Sequence, residues 1–163
     1  MSRIRANLWF DTQAEDAARL YVDVFKDSKL GGIARYPEAG QEIHGKPAGS
    51  VMTVGFELNG QTFVALNGGP QFAFNEAVSF EIDCADQAEL DYYWDRLTEG
   101  GDPDAQQCGW LKDRFDVSWQ VVPRASMERM IGSPDTEKSQ RAFQAMLGMK
   151  KLDIAALERA FEG

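Results

Sequence analysis

The chain has 163 residues and a formal net charge of −9 at pH 7, from 26 acidic and 17 basic residues. Since a domain usually takes about 100–200 residues, the length predicts one domain, and a hydrophobic fraction of 44% is enough for a buried core. An acidic surface without a basic cluster repels phosphate groups. We therefore expect no binding to nucleic acid and none to an anionic membrane.

Histidine and cysteine are scarce. The single histidine, His44, excludes zinc sites built from several histidines. Cys84 and Cys108 form no CxxC pair and are too few for a disulfide framework, which favours a reducing compartment. The N-terminal run MSRIRANLWFDTQAED lacks the apolar stretch of a signal peptide, and no later segment could span a bilayer. These features predict a cytoplasmic protein.

The sequence contains an internal duplication, which predicts two similar modules. A strand-like run, NLWFD at 7–11, precedes one helical pattern, and a second run, SFEID at 79–83, precedes another. Both helices place apolar residues at i, i+3, i+4 and i+7. These residues are Ala18, Tyr21, Val22 and Phe25 in the first helix and Leu90, Tyr93, Trp94 and Leu97 in the second. The glycine pairs at 31–32 and 100–101 are predicted to end the helices.

Further strands are predicted after each helix. They lie at 32–36, 51–58 and 61–67 in the first half and at 106–112 and 117–122 in the second. Asn59-Gly60 is a strong hairpin signal, and the turn at 113–116 is predicted to close on Asp116 in the left-handed conformation. These turns predict three cross-strand pairs, which are Glu57 with Thr62, Lys112 with Ser118 and Trp110 with Gln120. Each half is therefore interpreted as β-α-β-β-β.

The modules are predicted over about 3–70 and 76–123, so that residues 1–123 hold the pair. Residues 124–163 are predicted to form a helical C-terminal extension of the same domain, and the loop at 37–50 to be an exposed connection. Two helices of the extension carry apolar faces that the domain or a second subunit should cover. Their residues are Phe143, Met146 and Leu147, then Ile154, Leu157, Ala160 and Phe161.

Five phrases of the sequence resemble one protein family. They are LWFDTQAEDA at 8–17, VSFEI at 78–82, WDRLTEGG at 94–101, CGWLKDRF at 108–115 and AMLGMKKLDI at 145–154. Together with the duplication, they are similar to the PhnB-like branch of the vicinal oxygen chelate superfamily, also called the glyoxalase/bleomycin-resistance superfamily. The resemblance implies an α+β fold of two tandem βαβββ modules. Members of this branch often carry the label demethylubiquinone methyltransferase, but no glycine-rich nucleotide turn follows a strand here.

The resemblance also implies where a divalent metal would bind. In the superfamily, four strand positions commonly hold a metal through histidine, glutamate or glutamine. The matching positions here are Asn7, Val64, Ser79 and Gln120. None is a histidine or a carboxylate, which are the ligands that Mg²⁺, Mn²⁺ and Zn²⁺ prefer. We therefore predict no metal and no other cofactor.

Strand alternation assigns the side chains to two faces. One face is apolar and should pack on the helices, whereas the other collects polar groups and two tryptophans. From the second face we predict a ligand site made of Asn7, Trp9, Ser79, Glu81, Trp110, Ser118 and Gln120. Tryptophan among convergent polar groups favours a pocket for a flat or apolar molecule. The alternatives are a solvated sheet face and a dimer interface.

Glu81 and Lys112 are predicted to lie near each other, as a cross-strand ion pair or as an acid–base pair. Cys84 should be an inert core thiol, because it falls on the helix-facing side. The leading hypothesis is a metal-independent homodimer that binds a small molecule. One alternative is a metal-dependent lyase, isomerase or dioxygenase that uses Gln120 with Glu57 or Glu81. Another is an interaction protein that works through its C-terminal helices.

Overall fold

A computed structural model describes residues 4–163, which fall into two compact units, one ending at Phe74 and one from Asn75 to Gly163. The start of the first predicted module, at residue 3, lies outside the described residues. The first unit contains β1 (Ala6–Phe10), α1 (Ala14–Val24), β2 (Lys29–Arg35), α2 (Gln41–His44), β3 (Val51–Leu58) and β4 (Gln61–Asn67). Its sheet has the order β1-β4-β3-β2, with β1 parallel to β4 and the other pairs antiparallel.

The second unit has a smaller sheet followed by helices. Its elements are β5 (Phe80–Asp83), α3 (Gln87–Thr98), a 3₁₀ turn (Pro103–Ala105), β6 (Trp110–Lys112), β7 (Ser118–Val122), α4 (Arg124–Ile131), α5 (Thr136–Leu147) and α6 (Ile154–Glu162). The sheet order is β5-β7-β6, with β5 parallel to β7 and β6 antiparallel to it. Two small sheets with C-terminal helices form an α+β arrangement, as predicted.

The second module is β-α-β-β, so the prediction of a third strand after its helix is wrong. The strand expected from residue 106 begins only at Trp110, because Cys108 and Gly109 adopt positive φ angles of 51° and 85°. Their N–H groups donate to the carbonyls of Met149 and Lys150, each at 2.8 Å. The C-terminal segment therefore takes the hydrogen bonds that a sheet neighbour would otherwise accept.

Of the two predicted helix stops, one is correct. Gly100 follows α3 with a φ of 76°, as a helix-terminating glycine does. Gly31 and Gly32 instead lie inside β2, since α1 already ends at Val24. The strand register shifts between Leu30 and Ile33, and a Cβ on Gly31 would lie 3.1 Å from the carbonyl oxygen of Gly55. The pair therefore allows an irregular, close strand contact.

Each module helix is fixed at its N-terminus in a different way. The N–H of Ala14, the first residue of α1, donates to the side chain of Asn67 at the end of β4, at 2.8 Å. In α3, the Asp86 side chain accepts from the N–H of Glu89, and the Glu89 carboxylate accepts from the N–H of Ala85. This reciprocal pair is a capping box. Both caps tie a helix to the strand beside it.

The C-terminal helices are joined to α3 by Gln87. Its amide donates to the carbonyl of Leu152 at 3.1 Å and accepts from the N–H of Ile154 at 2.9 Å. On α6, Leu157 and Phe161 are buried by the unit itself, whereas Ile154 and Ala160 are half-buried. On α5, Phe143 and Leu147 are 45% and 43% exposed, so the unit does not cover them, and the predicted alternative of cover by a second subunit stays a prediction.

None of the helices between residues 4 and 163 is both long enough and apolar enough to cross a membrane.

Candidate functional site

The strands present the two faces that alternation predicts. In the first unit Leu8 and Phe10 are buried, and in the second unit Trp119 and Val121 are buried against the helical side. The predicted cross-strand pairs are also present. They are Glu57 with Thr62, Trp110 with Gln120, and Lys112 with Ser118. Asp116 has a φ of 66°, which confirms the left-handed residue at the end of the turn.

In the first unit, the two predicted site residues lie on β1. Asn7 is exposed and faces Val64 in the parallel register with β4. Trp9 is held by its own unit: its indole N–H donates to the carbonyl of Gly69 at 2.9 Å, and its ring meets Phe72 edge-on at 4.9 Å. A Cβ on Gly68 would lie 2.1 Å from the Trp9 ring, so the ring packs directly on the glycine backbone.

In the second unit, Ser79 and Gln120 are brought together. The Gln120 amide donates to the Ser79 hydroxyl at 2.9 Å. Glu81 lies opposite Gln120 in the register, but its carboxylate pairs with Arg124 at the start of α4. The predicted pairing of Glu81 with Lys112 is therefore wrong, because β7 lies between the strands that carry them.

A cavity of about 380 Å³ opens on the polar face of the second unit. The described residues that line it are Glu76, Ala105, Gln107, Cys108, Trp110, Leu111, Lys112 and Ser118. Pockets for small organic ligands usually measure about 300–1,000 Å³. Of the five predicted site residues in this unit, Trp110 and Ser118 line the cavity, and the other three lie outside its described lining.

Ser118 is more deeply buried than the sequence predicts. Strand alternation places it on the polar face of the sheet, yet it is only 2% exposed. Its hydroxyl oxygen is buried and has no hydrogen-bond partner among residues 4–163. Buried polar groups are nearly always hydrogen-bonded, since desolvation without a partner is costly. Because the oxygen itself is closed off from solvent, the hydroxyl has to rotate about χ1 before it can bond a molecule in the cavity.

Lys112, the cross-strand neighbour of Ser118, has a partner from outside the sheet. Its ammonium lies 2.6 Å from the carboxylate of Glu76, which belongs to the segment before β5. The Lys112 side chain is 20% exposed and that of Glu76 is 61% exposed. The hydrogen bond from Lys112 lowers the pKa of Glu76. Sequence reasoning missed Glu76 because an acidic residue in a loop gives no pattern that marks it.

Asp113 shapes the turn that positions Lys112 and Ser118. It is 1% exposed, and one carboxylate oxygen accepts from the N–H groups of Phe115 and Val117, at 2.8 and 3.1 Å. The other oxygen accepts from the indole N–H of Trp119 at 2.8 Å. Aspartate at the start of a turn often bonds the backbone two residues later. That local signal was present in the sequence, but the bond to Trp119 was not predicted.

The two cysteines lie in different surroundings. Burial raises the pKa of Cys84 to about 12, which keeps it a thiol and confirms an inert core residue. Cys108 lines the cavity, and its thiol lies 3.4 Å from the carbonyl oxygen of Met146. His44 lies in the other unit, where its ring faces Tyr36 at 4.8 Å.

The four positions that would hold a metal do not suit one. Val64 offers no donor atom, and its register partner Asn7 offers one neutral amide. The Ser79 hydroxyl is already bonded to the Gln120 amide. Mg²⁺, Mn²⁺ and Zn²⁺ are held mainly by carboxylate or imidazole groups. Among residues 4–163, no group of three or more His, Cys, Asp or Glu side chains is placed to hold a metal ion.

Comparison with known proteins identifies the family. Residues 2–122 match the model of the 3-demethylubiquinone-9 3-methyltransferase family. The chain belongs to this family. This agrees with the PhnB-like resemblance of the sequence, since a PhnB protein is among the similar solved structures. The family match ends before α4, so the C-terminal helices lie beyond it.

Several solved structures are similar to the chain. The PhnB protein from Bacillus cereus is 30% identical, with a TM-score of 0.62 over 74% of this chain and 98% of that one. Protein PA1353 from Pseudomonas aeruginosa is 19% identical, with a TM-score of 0.57 over 74% and 96%. No curated protein shows a significant match.

The methyltransferase activity in the family's name gains no support from the fold. Within residues 4–163, neither sheet has a doubly wound parallel order, and no glycine-rich turn follows β1 or β5. These are the features with which open parallel sheets bind nucleotide cofactors.

Proposed function

We propose that the protein binds a small organic molecule, without a metal, in the cavity of the second unit. The observation that carries this proposal is the buried hydroxyl of Ser118, which has no partner in the described chain and lines a cavity of ligand size. A fold that leaves a polar group unsatisfied loses stability, unless a bound molecule completes the hydrogen bond. We infer that a bound molecule offsets the desolvation cost of the Ser118 hydroxyl by completing its hydrogen bond.

The rest of the lining suits a molecule with a flat, apolar body. Trp110 and Leu111 supply apolar surface, and Ala105 adds a small side chain opposite the polar groups. Trp110 is only partly buried, so its ring has surface left to cover. Stacking against an aromatic ring adds about 0.5–1.5 kcal/mol beyond the area that it buries. Ring stacking and one hydrogen bond together favour an aromatic ligand.

Metal independence rests on the chemistry of the side chains. The carboxylates that an unusual metal site would need already have cationic partners. Glu57 lies 3.6 Å from the ammonium of Lys29, and Glu81 pairs with Arg124. A metal would have to displace these cations and still lack enough anionic ligands. We therefore assign binding to the cavity and not to the strand positions that hold metals in the superfamily.

The test is a titration of metal-stripped, ¹⁵N-labelled protein with two neutral aromatic probes, benzamide and indole. The indole N–H resonance of Trp110, assigned through the Trp110→Phe variant, should shift in a saturable way. Trp110→Ala should weaken binding of both probes at least about tenfold, measured from the backbone amides of the cavity lining, because a truncated aromatic at a binding centre often costs about 2 kcal/mol. Phe72→Ala is the matched control, since this aromatic is exposed on the other unit and is not among the cavity's lining residues.

Either of two results would refute the proposal. One is that neither probe shifts the Trp110 resonance at any concentration. The other is that Phe72→Ala weakens binding as much as Trp110→Ala does, while both variants keep the wild-type spectrum elsewhere.

We further propose that the protein is a homodimer. Phe143 and Leu147, one turn apart on α5, expose apolar surface that a second copy can cover. Light scattering should give the mass of two chains, and Phe143→Ser with Leu147→Ser should halve it. Ile43→Ser, at a residue that is 87% exposed on the other unit, is the control and should leave the mass unchanged. A wild-type mass of one chain would contradict the proposal.

A further inference from the structure

We propose that the ligand is an organic anion whose carboxylate replaces Glu76 at the ammonium of Lys112. This inference rests on the proposed function, since it names the class of molecule that enters the same cavity. It assigns Glu76 the role of an internal competitor, which occupies the anion position until a ligand arrives.

Lys112 and Ser118 lie on the same face of the sheet, because Lys112 is the last residue of β6 and pairs across the sheet with Ser118. Residues in such a cross-strand pair have their Cβ atoms about 4.5–5.5 Å apart. The long Lys112 side chain can extend its ammonium over the cavity, and the Ser118 hydroxyl, once rotated, is a second donor on the same face. We infer that these two donors together can hold one carboxylate.

Glu76, the partner of Lys112 in the free protein, is an exposed loop residue. Glu76 lies in the segment between β4 and β5, outside any helix or strand, and its side chain is 61% exposed. The same segment turns at Asn75, whose side chain accepts from the N–H of Ala77. A solvent-exposed ion pair contributes little to stability, because water and salt screen it. Glu76 can therefore leave Lys112 at low cost.

The charges of the cavity lining determine the charge that a ligand must carry. Glu76 and Lys112 are the charged residues of the described lining. A neutral molecule that fills the cavity and displaces Glu76 would cover the ammonium without a counter-charge, which is strongly unfavourable. A carboxylate restores the ion pair and, after rotation of the Ser118 side chain, can also accept from its hydroxyl, which Glu76 leaves without a partner. An anion therefore gains both interactions, whereas a neutral molecule gains at most one.

The experiment compares benzoate with benzamide, which has the same shape and no charge, on the wild type and two variants. In wild type, benzoate should bind more tightly than benzamide. Glu76→Gln removes the competitor, so benzoate should tighten about tenfold if Glu76 occupies Lys112 nine-tenths of the time. Benzamide should gain nothing from this variant, because the ammonium that it covers then has no counter-charge. Lys112→Met should abolish the preference for benzoate, and Lys112→Arg should retain it.

The outcomes separate the two proposals. Glu76 is exposed, so its substitution by glutamine should leave the fold intact, and the Trp110 resonance reports this directly. If benzamide binds in a Trp110-dependent way but benzoate binds no tighter, and Glu76→Gln changes neither, the anion inference is overturned and the proposed function stands. If neither probe shifts the Trp110 resonance, both are overturned. A tenfold gain with benzoate alone supports both.

Discussion

Replacing Ser118 by alanine should stabilise the protein without ligand. The hydroxyl is buried, and no described group bonds it, so no hydrogen bond offsets the free energy of its desolvation. An unsatisfied buried group costs about 1–3 kcal/mol. Removal of one oxygen leaves only a small void, so we expect a net gain of about 1 kcal/mol. For a chain of this size, that gain raises the melting temperature by about 2–4 °C.

Ser79 offers a matched control. It is the serine just before β5, and its hydroxyl accepts a hydrogen bond from Gln120 at 2.9 Å. Ser79→Ala breaks that bond and should lower the free energy of unfolding by about 0.5–1.5 kcal/mol. The same chemical change is therefore expected to have opposite signs at the two serines.

The assay is urea unfolding followed by circular dichroism, with differential scanning calorimetry as a second measure. A shift of the midpoint at constant slope reports stability alone. Ser118→Ala should also weaken benzoate binding, since it removes a donor to the carboxylate. The reasoning fails if Ser118→Ala lowers stability as Ser79→Ala does, because the hydroxyl would then have a partner in the free protein.

Two further predictions concern the turn and the metal. Asp113→Ala should lower stability by at least about 3 kcal/mol, because three donors lose a charged acceptor; Asp116→Gly in the same turn should be tolerated, and equal losses would contradict the role of Asp113. Chelator-stripped protein should show no saturable rise in melting temperature with Ni²⁺, Mn²⁺, Zn²⁺, Mg²⁺ or Fe²⁺. A tightly bound metal at a hundredfold excess over its Kd would add about 2.7 kcal/mol, so one clear rise would contradict metal independence.

Alternation and turn chemistry predicted the strand faces and the registers. Leu8 and Phe10 point into the core, and Lys112 pairs with Ser118, because side chains in a strand alternate and a turn of fixed length sets the register. The capping position of Asp86 could likewise be predicted from the sequence. These features depend on neighbours within a few residues, which a single sequence contains.

The errors came from partners that are distant in sequence. Residues 106–109 form no regular strand because Cys108 and Gly109 bond the segment at 149–150. The predicted pairing of Glu81 with Lys112 failed because Arg124 and the loop residue Glu76 take the two charges. Sequence periodicity shows which face a residue occupies, but it does not show which distant element covers that face.

Burial on the polar face was the other feature that the sequence did not predict. Ser118 and Gln120 share that face by alternation, yet only Gln120 has a protein partner, and only Ser118 is fully buried. The difference depends on the residues that enclose the cavity, including Glu76 and Gln107, which lie outside the strands. The predicted face was therefore correct, whereas the cavity on it required the structure.

The central claim is that the cavity binds a small organic molecule without a metal, and titration of the metal-stripped protein with benzoate tests it most directly. The account predicts a saturable shift of the Trp110 indole resonance, with no change in affinity when Mg²⁺ or Zn²⁺ is added. A shift that requires a divalent metal, or no shift at saturating benzoate and benzamide, would contradict it.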